Sequence, residues 1–80
     1  MDFRQIFATN LRRLRQEKGL SQEELAHEAG VNRTYMSKLE QGQTWVGLEI
    51  LVKLGAVLGT EPANFLQKPA KRARATKTKE

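Results

Sequence analysis

Apolar residues recur at three- and four-residue spacing along most of this chain, in short runs punctuated by glycine, which predicts amphipathic helices rather than strands. Phe3, Phe7, Leu11 and Leu14 mark a first helix, opened by Asp2 with Gln5 as a weak capping box and ended by Gly19. A second starts at Ser21-Gln22-Glu23-Glu24: the serine hydroxyl can cap the Glu24 amide while the Glu24 carboxylate reaches back to the Ser21 amide. Leu25, Ala26 and Ala29 give this helix one apolar face, and Gly30 supplies the left-handed backbone that stops it. Val31 follows as a buried plug. Asn32 then caps a third helix, which Gly42 terminates.

At 100° per residue the third helix sorts into Met36, Leu39 and Glu40 on one face and Arg33, Thr34, Ser37, Lys38 and Gln41 on the other. The second face suits the major groove of DNA, where base edges and phosphates present acceptors; it is also what a solvated helix looks like. A fourth helix, Leu48 to Leu58, carries Leu48, Leu51, Leu54 and Leu58 on the expected core face. Ile50, Val52 and Val57 widen its apolar arc to roughly 220°, more than one small core needs. Gly59 ends it, Thr60-Glu61-Pro62 opens a short fifth helix, and Phe65-Leu66 close that one. The surplus apolar surface near helices four and five, with Ile50, Val57 and Phe65 at its centre, predicts a homodimer interface.

Composition narrows this all-α, five-helix expectation. Eighty residues suit one small domain, near the size at which a single core is only marginally stable. The absence of cysteine removes disulfides and thiolate metal sites and suits a reducing cytoplasm. No run approaches membrane-spanning length, and Met-Asp-Phe-Arg-Gln does not read as a signal peptide. His27, the single histidine, points off the apolar face of helix two with no second histidine or cysteine beside it, so neither catalysis, metal nor cofactor is expected. The net charge of +5 is unevenly placed: residues 1–66 hold eight bases and eight acids, whereas residues 67–80 hold six bases and one acid. The chain thus divides into a neutral domain, 1–66, and a basic tail, 67–80, which has no large apolar residue and is predicted to be disordered. Such a tail is either a salt-sensitive arm for DNA or a solubilising extension.

Gly19-Leu20-Ser21-Gln22-Glu23, Leu25-Ala26, Gly30-Val31 and Leu39-Glu40-Gln41-Gly42 together resemble the helix-turn-helix of the XRE family, typified by the phage lambda and 434 repressors and Cro and including restriction-modification controller proteins. The similarity runs from about Phe7 to Leu66. It implies a DNA-binding regulator whose recognition helix, about Asn32 to Gln41, enters the major groove, paired as a homodimer so that two such helices stand about 34 Å apart. Carried over residue by residue, it implies that Arg33 and Thr34 read bases, with guanine suiting the arginine fork and a thymine methyl the threonine. Lys38 reaches a base or a phosphate, and Ser37 a phosphate. Gln22 would contact the DNA backbone and brace Arg33, while Arg15 and Glu40 would form a structural ion pair.

Several positions stay open on sequence alone. Arg12 and Arg13 point away from the stripe of helix one toward phosphate or water. The Tyr35 ring packs, with its hydroxyl either free for a phosphate or structural. After Gly42 the chain departs from the family pattern, since Gln43 and Thr44 replace the usual phosphate-binding bases, though both can still hydrogen-bond the DNA backbone, and Gly47 stands where a cap residue is common. Trp45 is a lid on the core, a backbone contact or part of a subunit interface. Repression and activation both fit. An antitoxin that also binds a toxin, or an interaction module that no longer reads DNA, are the competing readings.

Overall fold

The computed structural model describes residues 2–68, which form α1 (Phe3–Glu17), α2 (Gln22–Ala29), α3 (Arg33–Glu40), α4 (Leu48–Leu58) and a closing 3-10 turn (Pro62–Leu66). No strand occurs among the described residues. The basic tail lies, apart from Gln67 and Lys68, outside them. The fifth element is a 3-10 turn rather than an α-helix: five residues entered through Pro62, with the Asn64 amide donating to the Glu61 carbonyl, are too few to sustain the longer-range α-helical bonds.

The helix-turn-helix forms from local signals. Ser21 Oγ accepts from the Glu24 amide at 2.9 Å and Glu24 Oε1 accepts from the Ser21 amide at 2.8 Å, so the capping box is complete. Gly30 ends α2 at φ +68°, a left-handed conformation that costs glycine little, and the Val31 amide returns to the Ala26 carbonyl at 2.8 Å. Two residues later Asn32 Oδ1 accepts from the amides of Thr34 and Tyr35, at 2.8 and 3.2 Å, and starts α3. The turn between the helices is therefore fixed at both ends. By contrast α4 begins at Gly47 with no side-chain cap and depends on packing.

The core gathers Phe7 and Leu11 of α1, Leu25 of α2, Met36 and Leu39 of α3, Leu51 and Leu54 of α4, and Phe65. Phe65 is fully buried, its ring 5.5 Å from that of Phe7 at a 52° tilt. It closes the bottom of the core and offers nothing to a second subunit, which corrects the dimer-interface expectation at this residue. Ile50 and Val57 are half-buried against the same core. Leu48, expected to face inward, is 78% exposed: it sits roughly 80° around α4 from the buried residues, and Val46 packs on the core in its stead.

Two expectations for α1 also change. Phe3 is half-exposed, whereas Ile6, Ala8 and Asn10 are buried, because α1 is covered by α3 on one side and by the 3-10 turn on the other. Asp2 caps through the Arg4 amide at 2.8 Å, but Gln5 does not return the bond; the Arg4 guanidinium takes the Asp2 carboxylate at 2.7 Å instead. These bonds hold the Asp2 carboxyl below its ordinary value, so its capping contribution persists above the unfolded-state pKa and is lost as pH falls through the folded one.

Asn10 had no assigned role from the sequence. Its amide donates to the carbonyls of Phe65 at 2.7 Å and Gln67 at 2.8 Å, anchoring the chain after the 3-10 turn to α1. Asn10→Ala leaves both acceptors without their donor, and chemical denaturation should show a loss of about 1 to 3 kcal/mol. A loss under about 0.5 kcal/mol would mean that water replaces the amide freely.

Candidate nucleic-acid interface

Gln22 at the start of α2, Arg33, Thr34, Ser37, Lys38 and Gln41 on α3 and its cap, and Gln43 just beyond line one open cleft. Arg33, Thr34, Lys38, Gln41 and Gln43 are exposed, and Ser37 and Gln22 are half-buried. No carboxylate of the described residues lines this cleft. Among the described residues neither Arg33 nor Lys38 has an ion-pair partner, so a neutral domain presents a locally cationic surface. Six of the eight expected DNA-contacting residues, Gln22, Arg33, Thr34, Ser37, Lys38 and Gln43, thus share one face; Thr44 and Tyr35 do not line it. Gln41, placed on the polar face by its phase, donates from Nε2 to Ser37 Oγ at 2.9 Å, leaving the serine hydroxyl hydrogen available to a phosphate oxygen.

The opposite face of α3 is held by a buried charge. Glu40, 3% exposed, receives Arg15 Nε at 2.6 Å on one carboxylate oxygen and Arg15 Nη2 at 3.1 Å on the other. Arg15 Nη1 also donates to the Leu20 carbonyl at 2.9 Å, so one guanidinium joins α1, the loop before α2 and the end of α3. Arg12, expected to meet phosphate or water, instead donates to the Glu40 carbonyl. The end of a helix leaves such carbonyls without intrahelical partners, which is why an arginine from α1 is drawn there. Gln22 Nε2 donates to Glu40 Oε1 at 3.3 Å rather than bracing Arg33.

The loop leaving α3 is held from two sides. Gly42, at φ +71°, lies directly beneath the Gln5 side chain, where a Cβ would collide with the glutamine amide. Tyr35 donates its hydroxyl hydrogen to the Trp45 carbonyl at 3.1 Å and accepts from the Gly47 amide at 3.3 Å. That hydroxyl has only one hydrogen, so it reaches a phosphate only by giving up Trp45. Trp45 itself is 63% exposed with the Arg4 guanidinium 5.1 Å from its ring centroid, which excludes the lid on the core.

Residues 11–65 match the helix-turn-helix family model HTH_3. The chain belongs to this family. It is 39% identical over 71 residues to a hypothetical transcription factor of Neisseria meningitidis serogroup B, an alignment covering 89% of this chain and 67% of that protein. The crystal structure of the hypothetical transcription factor NHTF from Neisseria superposes with a TM-score of 0.84 at 38% identity, covering 91% of this chain and 84% of the other. The restriction-modification controller protein C.AhdI from Aeromonas hydrophila gives 0.74 at 42% identity, covering 78% and 94%.

This helix-turn-helix protein is accordingly a DNA-binding regulator of transcription related to controller proteins, and its work is recognition rather than catalysis. No helix of the described residues is long and apolar enough to cross a membrane, and no group of His, Asp or Glu among them is arranged to hold a metal.

The Arg15–Glu40 pair generates a stability prediction. Glu40→Ala strands a guanidinium that is 14% exposed and should cost about 3 to 5 kcal/mol in urea unfolding. Arg15→Lys keeps the charge but cannot make both parallel bonds, and should cost measurably less than Glu40→Ala. Equal losses from the two variants would show that fork geometry, not buried charge, sets the energy.

Proposed function

We propose that this helix-turn-helix protein regulates transcription by binding a twofold-symmetric operator as a homodimer, each α3 lying in a major groove. The observation that carries this reading is the acid-free cleft, in which Arg33, Thr34 and Lys38 stand free on one side of α3 while the acid of that helix, Glu40, is turned inward. In this reading Arg33 donates two parallel hydrogen bonds to a guanine, Thr34 meets a thymine methyl or a neighbouring base edge, and Lys38 reaches a base or phosphate. Gln22, Ser37, Gln43 and Thr44 hold phosphates, the first aided by the positive end of α2. Occupying the operator blocks or recruits polymerase according to where the site lies. Residues 67–80, with six bases, add attraction to DNA of any sequence.

Selection of bound sequences from a random duplex pool at near-physiological salt tests the reading. The intact chain should enrich an inverted repeat, and Arg33→Ala should relax one base position per half-site at a cost of about 1 to 3 kcal/mol. An absence of enrichment, with binding indifferent to Arg33, overturns it. A protein partner, for which the exposed Trp45, Leu48 and Val52 would be the docking surface, then becomes the better account.

The tail makes a separate prediction. Truncation after Leu66 should weaken binding to operator and random DNA by similar factors and flatten the dependence of affinity on salt, the logarithmic slope falling by about 0.9 for each phosphate that the tail had neutralised. Filter binding across a salt series measures this, and a selective loss of operator binding would assign the tail to sequence reading.

A further inference from the structure

A second cleft lies on the side of α1 away from α3. Asn10, Arg13 and Leu14 line it from α1, and Thr60, Asn64 and Lys68 line it from the segment that carries the 3-10 turn. Helical phase makes this division: Arg12 and Arg15 turn to the end of α3, whereas Arg13, about 100° around the helix from Arg12, turns to the 3-10 turn. The cleft measures about 510 Å³, within the roughly 300 to 1,000 Å³ span of small-molecule sites, and shares no residue with the recognition cleft. Its walls are held from behind. Asn10 ties α1 to the carbonyls of Phe65 and Gln67, and the Thr60 amide donates to the Gly55 carbonyl at 2.9 Å. There α4 approaches so closely that a Cβ on Gly55 would stand 2.8 Å from the Thr60 carbonyl oxygen.

The charge in this cleft is one-sided. Arg13 and Lys68 line it, and no carboxylate of the described residues does. Arg13 reaches Asn10 Oδ1 and the exposed Glu17 carboxylate only at 3.4 Å, long for guanidinium bonds, so its donors are little engaged. Among the described residues Lys68 has no ion-pair partner. Asn64 Nδ2 donates to Thr60 Oγ1 at 2.9 Å, which leaves the threonine hydroxyl hydrogen to be given. A carboxylate offers a single charge, whereas a phosphoryl group carries about two charges on three acceptor oxygens and so matches a fork, an ammonium and a hydroxyl together. We propose that the cleft between α1 and the 3-10 turn binds a phosphoryl dianion, held by Arg13 and Lys68 with Thr60 as a third donor. Leu14 supplies an apolar floor for an organic group attached to the phosphate. Because α3 lies across α1 from this cleft, its occupant leaves the recognition residues uncovered. The inference does not rest on the operator reading.

Titration of the isotope-labelled full chain with adenosine monophosphate, inorganic phosphate and adenosine, at constant ionic strength, tests the site through proton–nitrogen correlation spectra. The phosphate-bearing probes should shift the signals of Arg13, Thr60, Asn64 and Lys68 along one saturable curve, with a dissociation constant of about a millimolar or tighter. Arg13→Gln and Lys68→Gln should each raise that constant about tenfold, and Arg13→Lys, which keeps the charge and loses the fork, should fall between wild type and Arg13→Gln. Lys53→Gln removes an equal charge from the exposed side of α4 and should leave the constant within about twofold, which separates a site from general attraction to a basic chain. Circular dichroism verifies that each variant is helical. Tighter binding of adenosine monophosphate than of inorganic phosphate would support the site and identify an organic ester as its ligand, and equal binding would support it with free phosphate as the ligand. No saturable shift in the cleft up to about ten times the expected constant, or shifts confined to residues 71–79, would overturn the proposal. So would adenosine binding as tightly as its monophosphate, or a loss from Lys53→Gln equal to that from Arg13→Gln.

Discussion

A carboxylate buried to 3% exposure is tolerable only when its charge is matched and its lone pairs are filled, and Glu40 meets both conditions through residues far from it in sequence. Arg15 supplies the charge and two parallel donors, Gln22 a third, and Arg12 caps the carbonyl of the same residue. Burial of Met36 and Leu39 turns one side of α3 toward the core but leaves some latitude in its rotation about its own axis. Hydrogen bonds are directional, and those converging on Glu40 set that rotation. With Glu40 held inward, helical phase obliges Arg33, Thr34, Ser37 and Lys38 to face out together. The outward cleft thus depends on the inner ion pair as well as on the buried apolar residues of α3.

The same arrangement resolves how a domain with equal numbers of acids and bases can present a cationic face. Of the bases in α1, Arg12 and Arg15 are engaged at the end of α3 and Arg4 with Asp2 and Trp45. Glu23 and Glu24 sit in the first turn of α2, where the helix dipole favours them, and the Glu24 carboxylate is occupied by the capping box. The cleft receives two unpaired cations and no acid among the described residues. Placement, rather than net charge, is what a groove lined with phosphates would sense.

The parts of this fold that were legible in the sequence are those specified by neighbours in the chain. Ser21 with Glu24, Gly30, Asn32 and Gly42 each act within four residues, and the resulting helix-turn-helix has the boundaries that those signals predict. What was not legible depends on contacts between distant segments. Nothing near Asn10 announces that its amide will serve the carbonyls of Phe65 and Gln67, and nothing near Arg12 identifies the Glu40 carbonyl as its acceptor. Phe65 and Leu48 exchanged their expected places for a related reason. An apolar arc as wide as that of α4 does not say which part of it the core will take, and the choice fell to how the 3-10 turn inserts Phe65 and how Val46 covers the start of the helix. In the recognition cleft, helical phase sufficed to bring Arg33, Thr34, Ser37 and Lys38 together, because one short helix carries them all.

Tyr35 ties the recognition helix to the start of α4. It stands in the first turn of α3, beside Arg33 and Thr34, and its hydroxyl bridges the Trp45 carbonyl and the Gly47 amide at the uncapped start of α4. Packing of Leu51, Leu54 and Leu58 into the core holds the body of α4, and this tie adds a fixed position for its uncapped first turn. Two hydrogen bonds of about 1 kcal/mol each are small against the stability of the domain but enough to favour one placement of that turn. The Glu40 network fixes how α3 faces outward, and Tyr35 fixes where α4 begins relative to α3.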